Sequence, residues 1–136
     1  TGPLSKAEQE QVKSHTEWGE FLIDLTIPEL RGTTTHRFAC EICRYHHERW
    51  DGIGYPDGLR GDEIPRYVQV IALADCYDAL VAPRSYKPPV PHRKAADMIL
   101  SGECGAFCPA LLKAFAGCAD WVQIVVYGKE SDPSGC

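Results

Sequence analysis

The sequence predicts an all-α fold built as a helical bundle of about five helices. Alternating polar and apolar runs, the mark of a half-buried strand, are nearly absent. Apolar residues recur instead at three- and four-residue spacings. Ser, Pro and Gly stand where such segments start and stop.

Ser5-Lys6-Ala7-Glu8 pairs a Ser N-cap with a Glu three residues on, a capping box. It opens a helix expected to run to about Leu25, with Val12, Trp18, Phe21, Leu22 and Leu25 at helical spacings. Pro28, Gly32 and Thr33-Thr34-Thr35 read as a connection. A second helix is expected from about His36 to Arg49, with Phe38, Ile42 and Tyr45 on one face. Trp50 to Gly61 holds four glycines and a proline, which neither helix nor regular strand accommodates, so a structured loop is expected. Pro65 suits the first position of a third helix, to about Val81. Pro83, Pro88, Pro89 and Pro91 mark an extended connection. Pro91 starts a fourth helix that ends at Gly102, and Pro109 starts a fifth, to about Val126. The polar stretch 129–136 is expected to fray, and no internal repeat is present.

The chain has 136 residues, 44% hydrophobic and 24% charged, a composition that suits one globular domain and excludes a disordered one. Its net charge of -5, from 14 basic and 19 acidic residues, disfavours a DNA-binding surface. No apolar run approaches the roughly 20 residues of a membrane span. No charged-then-apolar leader opens the chain, so a reducing cytoplasm is expected. Seven cysteines cannot all pair internally. Cys43, Cys76 and Cys118 fall in helix-like apolar segments, where a free thiol packs as a small hydrophobe.

Val68, Val70, Ile71, Ala72, Leu73, Ala74, Ala79, Leu80 and Val81 cover almost the whole circumference of the third helix, which predicts a buried helix. Asp75 and Asp78 interrupt it. A buried carboxylate needs a cation, donors or a metal, and a salt bridge or a cap is the plainer alternative for Asp75. Upstream stands His46-His47-Glu48, then Asp51. Adjacent histidines on a helix diverge by about 100°, so the pair can serve two neighbouring metals, or one metal and one substrate. Mixed imidazole and carboxylate donors suit Fe, Mn or Zn. Arg84 and Lys87 follow Asp78 and are placed for phosphate, or else form a solvated surface pair. Cys40-x-x-Cys43-x-x-His46-His47 has zinc-like donors, but zinc knuckles put such a pair of cysteines in a turn, whereas these share a helix. His36 and His92 read as surface residues at helix starts.

His46 to Leu59, HHERWDGIGYPDGL, resembles the HD-GYP signature HHExxDGxGYPxGL. The similarity continues through Gly61, Ile64-Pro65, Ala74-Asp75, Tyr77-Asp78-Ala79-Leu80, Arg84 and Tyr86-Lys87, and His15 with Gly19 resembles the family's upstream His-x-x-x-Gly element. The resemblance covers about residues 3–116. It implies an HD-domain-like helical phosphohydrolase acting on cyclic di-GMP, with two or three divalent metal ions, iron or manganese above all. It implies metal ligation by His15, His46, His47 and Asp75, and substrate contacts from Tyr55, Arg84 and Lys87. Glu48, Asp51 and Asp78 stand as residues that orient those groups. No side chain is assigned as catalytic; the implied nucleophile is a metal-activated hydroxide.

The family's His-Asp dyad falls before Thr1, and residues 1–14 hold no replacement. Residues 1–128 are accordingly read as the C-terminal part of an HD-GYP domain, the output of a bacterial signalling protein with a receiver or sensor module upstream. The isolated chain is expected to turn over little substrate, with metal positions partly or wholly unfilled. A catalytically inactive nucleotide- or protein-binding module is the alternative, and homodimerisation is left open. Gln69 stands where many relatives carry Arg. Cys108 precedes Pro109 as a poor N-cap, at a cost of about 1 kcal/mol.

Overall fold

A computed structural model describes residues 5–83 and 88–127, so Arg84, Lys87 and the tail 129–136 lie outside the described residues. The fold is all-α. Among the described residues six helices follow in order: α1 (Lys6–Lys13), α2 (His15–Thr26), α3 (Thr34–Tyr45), α4 (Arg66–Val81), α5 (His92–Leu100) and α6 (Pro109–Tyr127), with single 3-10 turns at Pro28–Leu30 and Gly61–Glu63. No described helix is long and apolar enough to cross a membrane. The chain divides within α4 into two compact units, one ending at Asp75 and the other beginning at Cys76.

In the first unit the capping box forms as expected: the Ser5 N–H donates to Glu8 Oε2 at 2.8 Å, and the Glu8 N–H donates to Ser5 Oγ at 3.3 Å. The helix it opens does not reach Leu25. It breaks at Ser14, where hydroxyl groups bind the carbonyls of the preceding turn: Ser14 Oγ to Gln11 O at 2.7 Å and Thr16 Oγ1 to Lys13 O at 3.0 Å. Thr16 is fully buried, so the break is anchored in the core. Beyond it α2 packs on α3, closely enough that a Cβ on Gly19 would stand 3.3 Å from the Cβ of Cys43.

α3 also differs from expectation. Thr33 caps it, accepting the His36 N–H at 3.2 Å, and it ends at Tyr45 rather than Arg49. His46, His47 and Glu48 therefore lie past the helix end. The third difference concerns α4, which is not buried all round. Val68, Gln69, Ala72 and Leu73 are buried, while Val70, Ile71, Ala74, Asp75 and Asp78 are exposed. An apolar circumference reports only that a helix tolerates burial; which face is covered depends on its neighbours in space.

In the second unit α5 packs on α6. Ala95, Ala96, Ile99, Phe107 and Phe115 are buried, with Tyr77, Leu80 and Val81 from the end of α4. Tyr77 Oη lies 2.7 Å from His92 Nδ1, so His92 is a packed partner and not the surface residue its position suggested. Gly102, one residue past the cap of α5, has φ 83°, a conformation cheap only for glycine.

Candidate metal centre

Three imidazoles from two chain segments meet in the first unit. His15 comes from the first turn of α2, just after the Ser14 break, and His46 and His47 follow α3. One ring nitrogen from each lies within 4.8 Å of the others, and this is the one group of three or more potential metal donors among the described residues. Ring centroids stand 5.2 Å apart for His15 and His46, 5.0 Å for His15 and His47, and 4.2 Å for His46 and His47. The neighbours His46 and His47 thus converge on one point instead of diverging, because α3 ends at Tyr45 and the chain turns away after the capping residue His46.

Local hydrogen bonds fix which nitrogens are free. His15 Nδ1 lies 2.5 Å from Val12 O, and His46 Nδ1 lies 3.0 Å from Ile42 O and 2.9 Å from Cys43 O. Carbonyl oxygens only accept, so both Nδ1 atoms carry a proton, and it is Nε2 that presents a lone pair whenever the ring is neutral. Those two Nε2 atoms stand 3.1 Å apart. Facing lone pairs repel at this distance unless a cation lies between them. Two nitrogens bound to one metal at about 2.1 Å stand about 3.0–3.4 Å apart, so the donor set fits a metal ion. Carbonyls holding the far nitrogen are the usual way a ligating imidazole is oriented. His47 is pushed down to about 4, first by burial and then by the charge of its neighbours, His46 when protonated, Arg49, and His15 when protonated, which keeps its ring neutral near pH 7.

The glycine-rich loop packs beside this cluster. Tyr55 stacks on His47 with centroids 4.8 Å apart and planes inclined by 26°. Its hydroxyl is pushed up chiefly by burial, and the Asp75 carboxylate adds to that rise. Glu48 is the centre of the loop. It is 2% exposed, and its two oxygens accept the backbone N–H groups of Asp57 at 2.7 Å, Gly58 at 3.0 Å and Leu59 at 3.0 Å. Asp51 acts locally: its carboxylate accepts the Ile53 N–H at 3.0 Å, and its backbone forms an isolated antiparallel bridge with that of Arg60. Gly54 is required by close approach: a Cβ there would stand 2.4 Å from the Arg49 backbone nitrogen.

Arg44, which carried no signal in the sequence, ties the loop to the helices. Its guanidinium binds both Asp57 oxygens, at 2.9 and 2.8 Å, and Glu20 Oε2 at 2.8 Å. That fork holds the Asp57 carboxyl below its ordinary range and raises Arg44 further above its own. Its partners lie 13 and 24 residues away, a separation that no local pattern records.

Asp75 is not part of the three-imidazole set; it lies exposed on α4, near enough for its charge to act on Tyr55. Asp78 is exposed in the second unit. Cys40 and Cys43 are free thiols on α3, both raised chiefly by burial, and neither joins the histidines.

The profile of the HD domain family matches residues 1–105. A cyclic di-GMP phosphodiesterase of Vibrio cholerae is 37% identical over 131 residues, which are 96% of this chain and 27% of that relative. A cyclic di-GMP phosphodiesterase of Thermotoga maritima is 37% identical over 114 residues, 84% of this chain and 30% of the relative. A 3'3'-cGAMP-specific phosphodiesterase of Vibrio cholerae is 35% identical over 112 residues, 82% of this chain and 20% of the relative. The chain spans less than a third of the length of each of these proteins.

Proposed function

The chain belongs to the HD domain family, and on that premise we propose that it is part of a metal-dependent phosphodiesterase acting on a cyclic dinucleotide, cyclic di-GMP first. The observation that carries this reading is the convergence of His15, His46 and His47, with the Nε2 atoms of His15 and His46 3.1 Å apart. These three residues are proposed to hold the metal, iron or manganese as the family resemblance implies, and Asp75 is proposed to join them. A bound metal supplies an activated hydroxide and neutralises charge on the scissile phosphodiester.

The chain's own residues do the rest. Glu48 and Arg44 hold the glycine-rich loop, and the loop holds Tyr55 at the edge of the cluster, where it meets the substrate. Arg84 and Lys87 are proposed to neutralise phosphate charge. Regulation by a receiver or sensor module belongs to the same proposal, since the matched relatives extend far beyond the segment this chain covers. A nucleotide-binding module without turnover is the second reading, favoured by Asp75 standing apart from the three imidazoles.

Incubation with cyclic di-GMP and Mn(II) or Fe(II) of the longer protein in which this proposal places the chain, with products separated by chromatography, tests the proposal; the 136 residues alone are expected to turn over little. Metal-dependent formation of the linear dinucleotide or GMP, abolished by a chelator and by His47→Ala, is expected. Binding without product selects the second reading, and no binding overturns both.

A further inference from the structure

Lys13 ends α1, and its ammonium lies over the Tyr55 ring, 5.6 Å from the centroid. His47 also stacks on the Tyr55 ring, at 4.8 Å, so Lys13 and a metal-competent imidazole share one aromatic neighbour. The same turn fixes both groups. The Lys13 carbonyl accepts the hydroxyl of fully buried Thr16, and the Val12 carbonyl holds His15 Nδ1. The break at Ser14 therefore delivers a cation and a ligand histidine to one place.

We infer that Lys13 is a substrate-anchoring residue of this centre, the cation that meets a phosphodiester group of the cyclic dinucleotide beside Tyr55. This rests on the phosphodiesterase reading above. The charged groups around the cluster support it. Arg49 is tied to backbone, its Nη1 donating to Glu48 O at 3.0 Å and His46 O at 3.3 Å. Among the described residues Lys13 forms its ion pair with Glu10, at 2.7 Å, through side chains 42% and 71% exposed. Such a solvated pair exchanges readily, so an incoming phosphate can take the ammonium from Glu10. Asp75, near Tyr55, and Glu10 are negative, and the chain carries a net charge of -5. An anionic ligand thus approaches against the mean field and needs a local cation. A lysine suits the task, being a point charge on a flexible stem that follows a phosphate through several orientations.

The test compares Lys13→Met, which keeps the apolar stem, with Lys13→Arg, which keeps the charge. Affinity for cyclic di-GMP is measured on Mn(II)-loaded protein at two salt concentrations, with Mn(II) affinity measured in parallel. Lys13→Met is expected to weaken cyclic di-GMP about tenfold and flatten its salt dependence, leave Mn(II) affinity unchanged, and be largely rescued by Lys13→Arg. Cyclic di-GMP affinity within about twofold of the unmodified protein overturns the inference, as does a parallel loss of Mn(II), which marks a structural role. Unmodified protein that binds Mn(II) but no cyclic di-GMP overturns the phosphodiesterase reading, and this inference with it.

Discussion

At the scale of single residues, the centre depends on proton placement. His47 has a folded pKa of about 4, below its ordinary value of 6.5. The unfolded chain therefore binds the extra proton first as pH falls. Stability attributable to a neutral His47 is fully present above about pH 6.5 and is lost as pH falls toward 4. In metal-free protein the unfolding free energy from urea titration is expected to drop across that window, by about 1–2 kcal/mol after allowance for partial exposure, and His47→Gln is expected to flatten the slope. Glu48 gives the second prediction at this scale. Its removal leaves three loop N–H groups without their acceptor, so Glu48→Ala should cost about 2–4 kcal/mol in urea unfolding. A loss below about 0.5 kcal/mol would show that water replaces the carboxylate without penalty.

At the scale of elements, the loop and its two anchors are the unit that matters. Gly54 lies against the backbone of Glu48 and Arg49, so Gly54→Ala must displace the loop, and a loss above about 2 kcal/mol or failure to fold is expected. Arg44→Ala should cost less, about 1–2 kcal/mol, because Asp57 and Glu20 are partly solvated and water takes over after the cut. Thermal unfolding of both variants checks the order. Much at this scale was legible in the sequence: the capping box at Ser5, the stop at Gly102 and the glycine-rich loop each carry their cause within a few residues. The break at Ser14 was not, because it depends on hydroxyls that bind backbone only once Thr16 is packed in the core. The end of α3 at Tyr45 was not, because Glu48 leaves the helix to serve N–H groups nine to eleven residues later.

For the whole molecule, all-α architecture and family followed from periodicity and one long motif, while the metal-competent cluster needed three dimensions. His15 and His46 are 31 residues apart, and their meeting at 3.1 Å is set by α2 packing on α3. The exposed face of α4 shows the same limit, since Val70 and Ile71 look as core-like in sequence as Val68 and Ala72. The proposed function depends on the first unit presenting His15, His46 and His47 to one ion. The most direct measurement is a Co(II) or Mn(II) titration of the unmodified protein beside His15→Ala, His46→Ala, His47→Ala and the control His92→Ala. At least one ion per chain is expected, with affinity falling about tenfold to a hundredfold in each of the three variants and unchanged in the control. Equal metal affinity in the unmodified protein and all three variants would contradict a shared centre.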